Sequence, residues 1–466
     1  MTNLNETCRG LIIAGTHSSV GKSSIAMGLM RCFKNRGYPV KPFKVGPDYI
    51  DPGHHTRAAG HPSYNLDCWM GGRASMQTLF NATIQPGDRF VIEGVMGMFD
   101  GAYATKETGS TAEIAHLLDA PVVLVIDGSM LARSAAAIVK GFVEFDDRVN
   151  VLGVIANRVN SPGHAQILKE AIEHHTPTRF LGHLPCREEL KMPSRHLGLH
   201  LAQEQGADIY DQWAAHLETH LDIPSLLELL PARPGGTTPP PPRWPQPESS
   251  IPFSVAIAQD ESLHFIYQDT LDLIQHYGGR IQYFSPLRDN ALPDGVDWVY
   301  LPGGYPELYA GRLSGNIRLL QAIRKFANAG GTVVGECGGL MLLGKTLTDA
   351  EGVPHRMAGV FNFSTTLSKK KLTIGYRELN YHPPGQSNTA LTLRGHEFHC
   401  SSFEENGETP LMSHHNPETD QTHHDGYRFK NAFAFYSHIH WGSSIGWWEN
   451  LLQRFILKSK TQRDIP

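Results

Sequence analysis

Between Ala232 and Ser250 the chain reads ARPGGTTPPPPRWPQPESS. No helix interior or central strand accepts proline at that density, because the ring removes a donor and clashes with the preceding turn. The segment is expected to run extended, as a semi-rigid linker. It divides the 466 residues into residues 1–231 and 251–466, each long enough to bury its own core.

Both halves alternate short apolar runs with amphipathic stretches. In the first half, GLIIAGT, RFVIEGVMG, APVVLVIDG and NVLGVIANRV are rich in Val and Ile and end in Gly, Asp or Asn. Continuous runs of this kind suit strands buried on both faces. Helical candidates such as SSIAMGLMRCFKNRG lie between them. Alternation of this sort predicts an α/β fold with a mostly parallel sheet covered on both sides. The second half repeats the theme with FSVAIAQ, WVYLPGG and GTVVGEC.

Charge and cysteine usage exclude several function classes. The formal net charge of -5 gives no basic face for nucleic acid. No apolar run approaches the roughly 20 residues of a membrane-spanning helix, and the polar start, Met1 to Gly10, has no signal-peptide core. Cys8, Cys32, Cys68, Cys186, Cys337 and Cys400 follow no pairing or metal-ligand spacing. A reduced, cytoplasmic protein is expected, in which any special cysteine is catalytic. His414, His415, His423 and His424 fall between Leu411 and Tyr427. With no helix or cysteine to frame a metal, they read as a solvated His-rich loop.

Residues 15–23 read GTHSSVGKS, after the apolar run LIIA and before an amphipathic stretch. Strand, Gly-rich loop and helix start together form a phosphate cradle of backbone N–H groups. The nucleotide-binding set is Gly15, Thr16, Val20, Gly21, Lys22, Ser23 and Ser24. Lys22 would neutralise the β- and γ-phosphates, and the Ser23 hydroxyl would join a Mg²⁺ shell. Five residues separate Gly15 from Gly21, one more than usual. The loop looks like the longer variant of dethiobiotin synthetase and its relatives, which activate carboxylates with ATP. Glu93 ends RFVIEG and Asp48 lies in KVGPDYIDPGHH, positions suited to metal-associated acids. Asp51 would be a second ligand or hold that loop. Asn157 ends VIAN and could read the adenine edge.

The second half carries TVVGECGGLMLLG, residues 332–344. A β-branched run, Glu336-Cys337-Gly338-Gly339 and a helix-like stretch make a nucleophile elbow. The helix start favours the thiolate. A nucleophilic cysteine needs a base, and FYSHIHWGSS supplies His438 and His440. Upstream, LPGG offers the backbone N–H groups of Gly303 and Gly304 as an oxyanion hole.

Taken in order, GTHSSVGKS, KVGPDYIDPGHH, VIEGVMGMFDG, VVLVIDGSMLARSAAA, SRHLGL, VAIAQDESLHFIYQDTL, LPGGYPEL, GECGGLML, GYRE, RGHEFH and YSHIHW resemble the cobyrinic acid a,c-diamide synthases, including the hydrogenobyrinic acid form. The resemblance runs nearly the whole chain. It implies a P-loop NTPase-like domain followed by a class I glutamine amidotransferase domain. It implies ATP-dependent amidation of the a and c acetates of a corrinoid, through acyl phosphates, with ammonia released from glutamine. ATP and Mg²⁺ are the implied cofactors, and glutamine and a corrinoid tetracarboxylate the implied partners, with a homodimer as a candidate assembly. The family's nucleophile falls on Cys337, its catalytic histidine on His438, and its P-loop and metal residues on Gly21, Lys22, Ser23, Asp48 and Glu93. One departure stands out: class I amidotransferases carry Glu two residues after the histidine, where this chain has His440. Glu397 in RGHEFH is a candidate orienting carboxylate. Tyr49, His54 and Arg195 are candidates for the substrate loop. Three rival readings remain open at this stage: the same chemistry on another tetrapyrrole such as nickel sirohydrochlorin, a nucleotide switch of the partition-ATPase kind, and a regulatory glutamine sensor whose ATP half is inactive.

Overall fold

The apolar runs of the first half become the strands of one parallel sheet. The structure, a computed structural model, describes residues 7–192, 194–195, 198–206, 208–234, 241–247, 252–367, 372–383, 390–403, 410–416 and 421–457. Its first unit contains β1 (Thr7–Gly15), β2 (Val40–Val45), β3 (Tyr64–Leu66), β4 (Arg89–Glu93), β5 (Val122–Asp127), β6 (Val151–Asn157) and β7 (Arg179–Leu184), in the order β3-β2-β4-β1-β5-β6-β7. Every pairing along that order is parallel. Side chains alternate between two cores, as a strand buried on both faces requires. Leu11 and Ile13 pack with Ile25, Phe33 and Leu217. Ile12 and Ala14 pack on the other face with Phe80, Phe90 and Leu118. Helix α1 (Lys22–Asn35) follows β1 directly. The carboxyl ends of β1 and β4 lie side by side in the sheet, where ligands of open α/β sheets bind.

The second unit has its own mixed sheet, ordered Gly279–Phe284, Phe253–Ala258, Trp298–Leu301, Thr332–Glu336, Ala432–Phe435, Tyr427–Phe429. The first five strands are parallel and the last antiparallel. An antiparallel sheet runs Gln421–Asp425, Met412–Asn416, Thr373–Tyr381, Leu391–His399, His438–Ile439. An aromatic core of Trp298, Tyr300, Trp441, Trp447 and Trp448 fills one face of the first sheet.

The two units meet in sequence at Arg243 and Trp244, inside the segment expected to be a linker. Along its described length that segment is anchored. Arg233–Pro234 pairs with the start of β1, and the Arg243 guanidinium lies 5.4 Å from the Tyr64 ring centroid. Trp244 is buried in the second unit and donates Nε1–H to Gly442 O at 2.9 Å. Extended proline-rich chain leaves its side chains free to dock, and the arginines and the tryptophan between the prolines do so.

The His-rich stretch also differs from expectation. Met412–Asn416 and Gln421–Asp425 form a hairpin, and His414 is buried. His414 and His423 are register partners on one face, with ring centroids 5.2 Å apart; His414 is the covered member of that pair, while His423 and His424 are exposed. The side chain of His415 lies outside the described residues. Among the described residues no metal-ligand grouping forms there; Glu107, His116 and Asp146 do cluster, with Arg148 bridging Glu107 and Asp146. Also among the described residues, no helix is long and apolar enough to cross a membrane.

Candidate active sites

The Gly-rich loop turns from β1 into α1 at Gly21, whose φ of 108° is a left-handed conformation that L side chains resist. Lys22 begins the helix and is buried; its Nζ donates to His17 O at 3.1 Å and to Met96 O. Burial, then Lys44 nearby, lowers the Lys22 amine to about 8. Ser23 donates Oγ–H to Glu93 Oε1 at 2.6 Å, joining helix start and strand end. Gly15 closes β1, Thr16 and Val20 lie in the turn, and Ser24 is in the first turn of α1.

Asn157 and Arg158 brace this loop from the end of β6. The Asn157 amide donates to Val20 O at 2.9 Å, and its Oδ1 accepts the Arg158 N–H at 2.9 Å. The Arg158 guanidinium donates to Ser19 O at 2.6 Å and pairs with Asp127. Asn157 thus braces the loop with one N–H and one lone pair of its carboxamide.

Glu93 sits in a buried charge cluster that the sequence reading did not assemble. Its Oε1 is 3.2 Å from Lys44 Nζ and its Oε2 2.6 Å from His55 Nε2. Lys44 also pairs with Asp51 Oδ2 at 3.2 Å. Burial alone would raise the Glu93 carboxyl, but Lys44, His55 and Ser23 together hold it well below the carboxylate range. Asp51 is driven the other way, well above that range, by burial and by Asp48 and Glu93. Lys44 was findable: it is the last polar residue of a buried strand, ahead of GPDYIDPGHH. Asp48 is half-buried, and its Oδ1 accepts N–H of Ile50 at 2.7 Å and of Asp51 at 2.9 Å. It thereby closes the turn leading into the helix that Asp51 opens.

His55, not His54, faces Glu93. His54 is fully buried with Nδ1 3.0 Å from Tyr210 Oη and Nε2 2.8 Å from His200 O, and burial lowers it to about 4. The two lie on helix Asp51–Ala59, where one residue turns a side chain through about 100°. His54 is therefore a framework residue, which corrects its expected place in the substrate loop. Tyr49 is half-buried in that loop. Arg195 lies in the short strand Ser194–Arg195, and its side chain is outside the described residues.

In the second unit, Thr332–Glu336 is buried along its length and ends at Cys337, whose φ of 46° is strained for a residue with a side chain. Helix Gly338–Leu343 follows at once, completing the elbow. Cys337 N–H donates to Phe435 O at 2.8 Å, so the cysteine and the chain leading to His438 lie at the ends of adjacent parallel strands. The His438 ring packs on the Gly303 backbone: a Cβ there would sit 2.3 Å from Cε1. Gly304 N is 3.0 Å from where a Gly338 Cβ would be. Gly303, Gly304, Cys337 and His438 thus converge.

Electrostatically, burial and then Glu307 push the Cys337 thiol well above its usual range. Burial, with His396 and His399, holds His438 well below the usual imidazole range. Both shifts favour the uncharged forms, a thiol at Cys337 and a neutral imidazole at His438.

His440 takes the place of the usual glutamate. Its Nδ1 is 2.9 Å from Ser443 Oγ and its Nε2 3.7 Å from Asp269 Oδ2. Glu397 lies against Arg377 Nε at 2.8 Å and His414 Nε2 at 3.7 Å. From the same strand it is His396 that stacks on His438, with centroids 5.1 Å apart. Two other acidic side chains hold the histidine's flanks. Asp425 accepts N–H of Tyr436 and of Ser437, both at 2.9 Å. Glu336 accepts from Tyr300 Oη at 3.0 Å and Trp441 Nε1 at 2.7 Å. Alternation within RGHEFH could have pointed to His396; nothing local in sequence marks Glu336 or Asp425.

Residues 11–199 match the CobQ/CobB/MinD/ParA nucleotide binding domain, and residues 254–445 the CobB/CobQ-like glutamine amidotransferase domain. The cobyrinate a,c-diamide synthase of Salmonella typhimurium is 40% identical over 438 residues, covering 92% of this chain and 94% of that one. That of Dehalococcoides mccartyi is 37% identical over 462 residues, covering 97% and 98%. The Listeria monocytogenes enzyme is 39% identical over 448 residues, covering 93% and 97%.

Proposed function

The chain belongs to the cobyrinate a,c-diamide synthase family, and from that premise we propose that it amidates the a and c acetate carboxylates of cobyrinic or hydrogenobyrinic acid, using ATP and glutamine. The observation that carries this reading is the presence, in one chain, of two sites with divided chemistry. One is a P-loop whose Ser23 is hydrogen-bonded to buried Glu93. The other is a cysteine elbow beside a neutral histidine and the Gly303 backbone.

A carboxylate is a poor electrophile and needs a leaving group. In the first unit Lys22 and the loop N–H groups bind the phosphates and gather charge as a corrinoid carboxylate oxygen attacks the γ-phosphorus. ADP leaves and an acyl phosphate remains. Ammonia attacks its carbonyl, phosphate departs, and the amide forms. Ser23 Oγ, Glu93 and Asp48 are oxygen donors of the kind Mg²⁺ takes, and bound Mg²⁺ would draw charge from the phosphoryl oxygens. Lys44 and His55 fix the Glu93 carboxylate in its ionised form.

In the second unit the Cys337 thiol gives its proton to His438 as sulfur attacks the side-chain amide carbon of glutamine. The oxyanion rests on backbone N–H at Gly304 and its neighbours. His438 returns the proton to the leaving nitrogen, ammonia departs, and water, deprotonated by His438, frees glutamate from the thioester.

The test is mass spectrometry of the corrinoid after incubation of the whole chain with cobyrinic acid, Mg-ATP and glutamine. Two carboxyl-to-amide changes, each about 1 Da lighter, are expected for a ligase of this kind. Consumption of ATP and glutamine with an unaltered corrinoid would overturn the substrate assignment.

A further inference from the structure

Glu307 lies in the short 3-10 turn Pro306–Tyr309, directly after the Gly303–Gly304 pair. That turn rests on the start of the elbow helix: a Cβ on Gly338 would lie 2.9 Å from Pro306 Cδ and 3.0 Å from Gly304 N. The residue is half-buried overall, but its Oε2 is out of reach of solvent and has no hydrogen-bond partner among the described residues. Of the charged groups acting on Cys337, Glu307 is foremost, ahead of Glu397 and Glu336. A buried carboxylate oxygen with neither donor nor cation is costly, and it persists where a ligand completes it.

We propose that Glu307 receives the α-ammonium group of glutamine and so makes the Cys337 site selective for an amide that carries an α-amino group. The proposal rests on the reading of Cys337 as the glutaminase nucleophile. Three carbons separate the amide carbonyl of glutamine from its α-nitrogen. The amide held at Cys337 and Gly304 therefore leaves the ammonium free to reach the turn that follows Gly304. Ammonium on carboxylate is a charge-assisted contact in a water-poor site. It also removes an obstacle to catalysis. The Glu307 charge opposes loss of the thiol proton, so a bound ammonium, by cancelling that charge, lets the substrate arm its own nucleophile. Burial pushes the Glu307 carboxyl up to about 7, and an ammonium would draw it back down.

Ammonia release is measured with glutamine and with glutaramate, which has the same amide and carboxylate but no α-amino group. The comparison is made for wild type, Glu307→Gln and Glu307→Asp. Wild type is expected to prefer glutamine by about 100-fold or more in kcat/KM, the range set by an unpaired buried polar group. Glu307→Gln is expected to lose most of that preference through weaker glutamine use, with glutaramate use retained. Glu307→Asp, which keeps the charge on a shorter arm, keeps part of it. An unchanged ratio in Glu307→Gln overturns the proposal. An equal loss on both substrates, with Asp no better than Gln, assigns Glu307 a framework role and overturns it too. Cys337→Ala is run in parallel: undiminished ammonia release there would remove the underlying reading of the site, whatever the Glu307 result.

Discussion

Trp441 donates its indole N–H to Glu336 Oε1 at 2.7 Å, so the residue before the nucleophile and the third residue beyond His438 share one buried hydrogen bond. Burial pushes the Glu336 carboxyl from 4.5 up to about 8. The folded state then keeps a proton that the unfolded chain releases. Its contribution is full below the unfolded value and is lost as pH rises towards the folded one, at up to about 1.4 kcal/mol per pH unit. Glu336→Gln keeps an acceptor for Trp441 and has no proton to lose. Tryptophan fluorescence unfolding from about pH 5 to 8 is expected to show wild type losing stability relative to the variant. Parallel profiles would contradict the assignment.

Gly303 leaves the space that the His438 ring uses, since a Cβ would come within 2.3 Å of Cε1. Gly303→Ala must displace the ring or the strand. Glutamine-dependent synthesis is expected to fall by about 100-fold or more, as for other losses of base geometry, while synthesis from added ammonium continues. An assay with each nitrogen donor separates the two.

Lys44 is the cation that keeps Glu93 ionised inside the first unit. Lys44→Met leaves the carboxylate with His55 and Ser23 alone. Breaking such a buried pair costs about 3–5 kcal/mol, and ATP turnover is expected to fall with either nitrogen donor. Calorimetry and ADP release check the two effects.

Asn157 distinguishes a brace from a base reader. Asn157→Ala is expected to raise the KM for ATP and for GTP together, because it loosens the Val20 carbonyl without touching the purine. A changed ATP-to-GTP ratio would restore the adenine role.

What the sequence revealed follows from how each feature is encoded. The P-loop and the elbow were legible because each is continuous: an apolar strand, a Gly-bearing turn and a helix start in one stretch. Their supports were not, because each joins distant residues. Lys44, His55 and Glu93 come from three elements, and Tyr300, Glu336 and Trp441 from three others. His54 and His55 are adjacent letters that a helix turns to different faces. The His-rich hairpin was missed because its alternation carries polar residues on both sides, so no apolar pattern marks the strands.

In the proposed reaction the two units divide the work, with Cys337 supplying ammonia and the P-loop unit spending ATP on the carboxylate. The most direct measurement is diamide formation by Cys337→Ala, with glutamine or ammonium as sole nitrogen source and Mg-ATP and cobyrinic acid present. Product from ammonium and none from glutamine is the expected result. Product from glutamine at the wild-type rate, or none from either source in a folded variant, would contradict it.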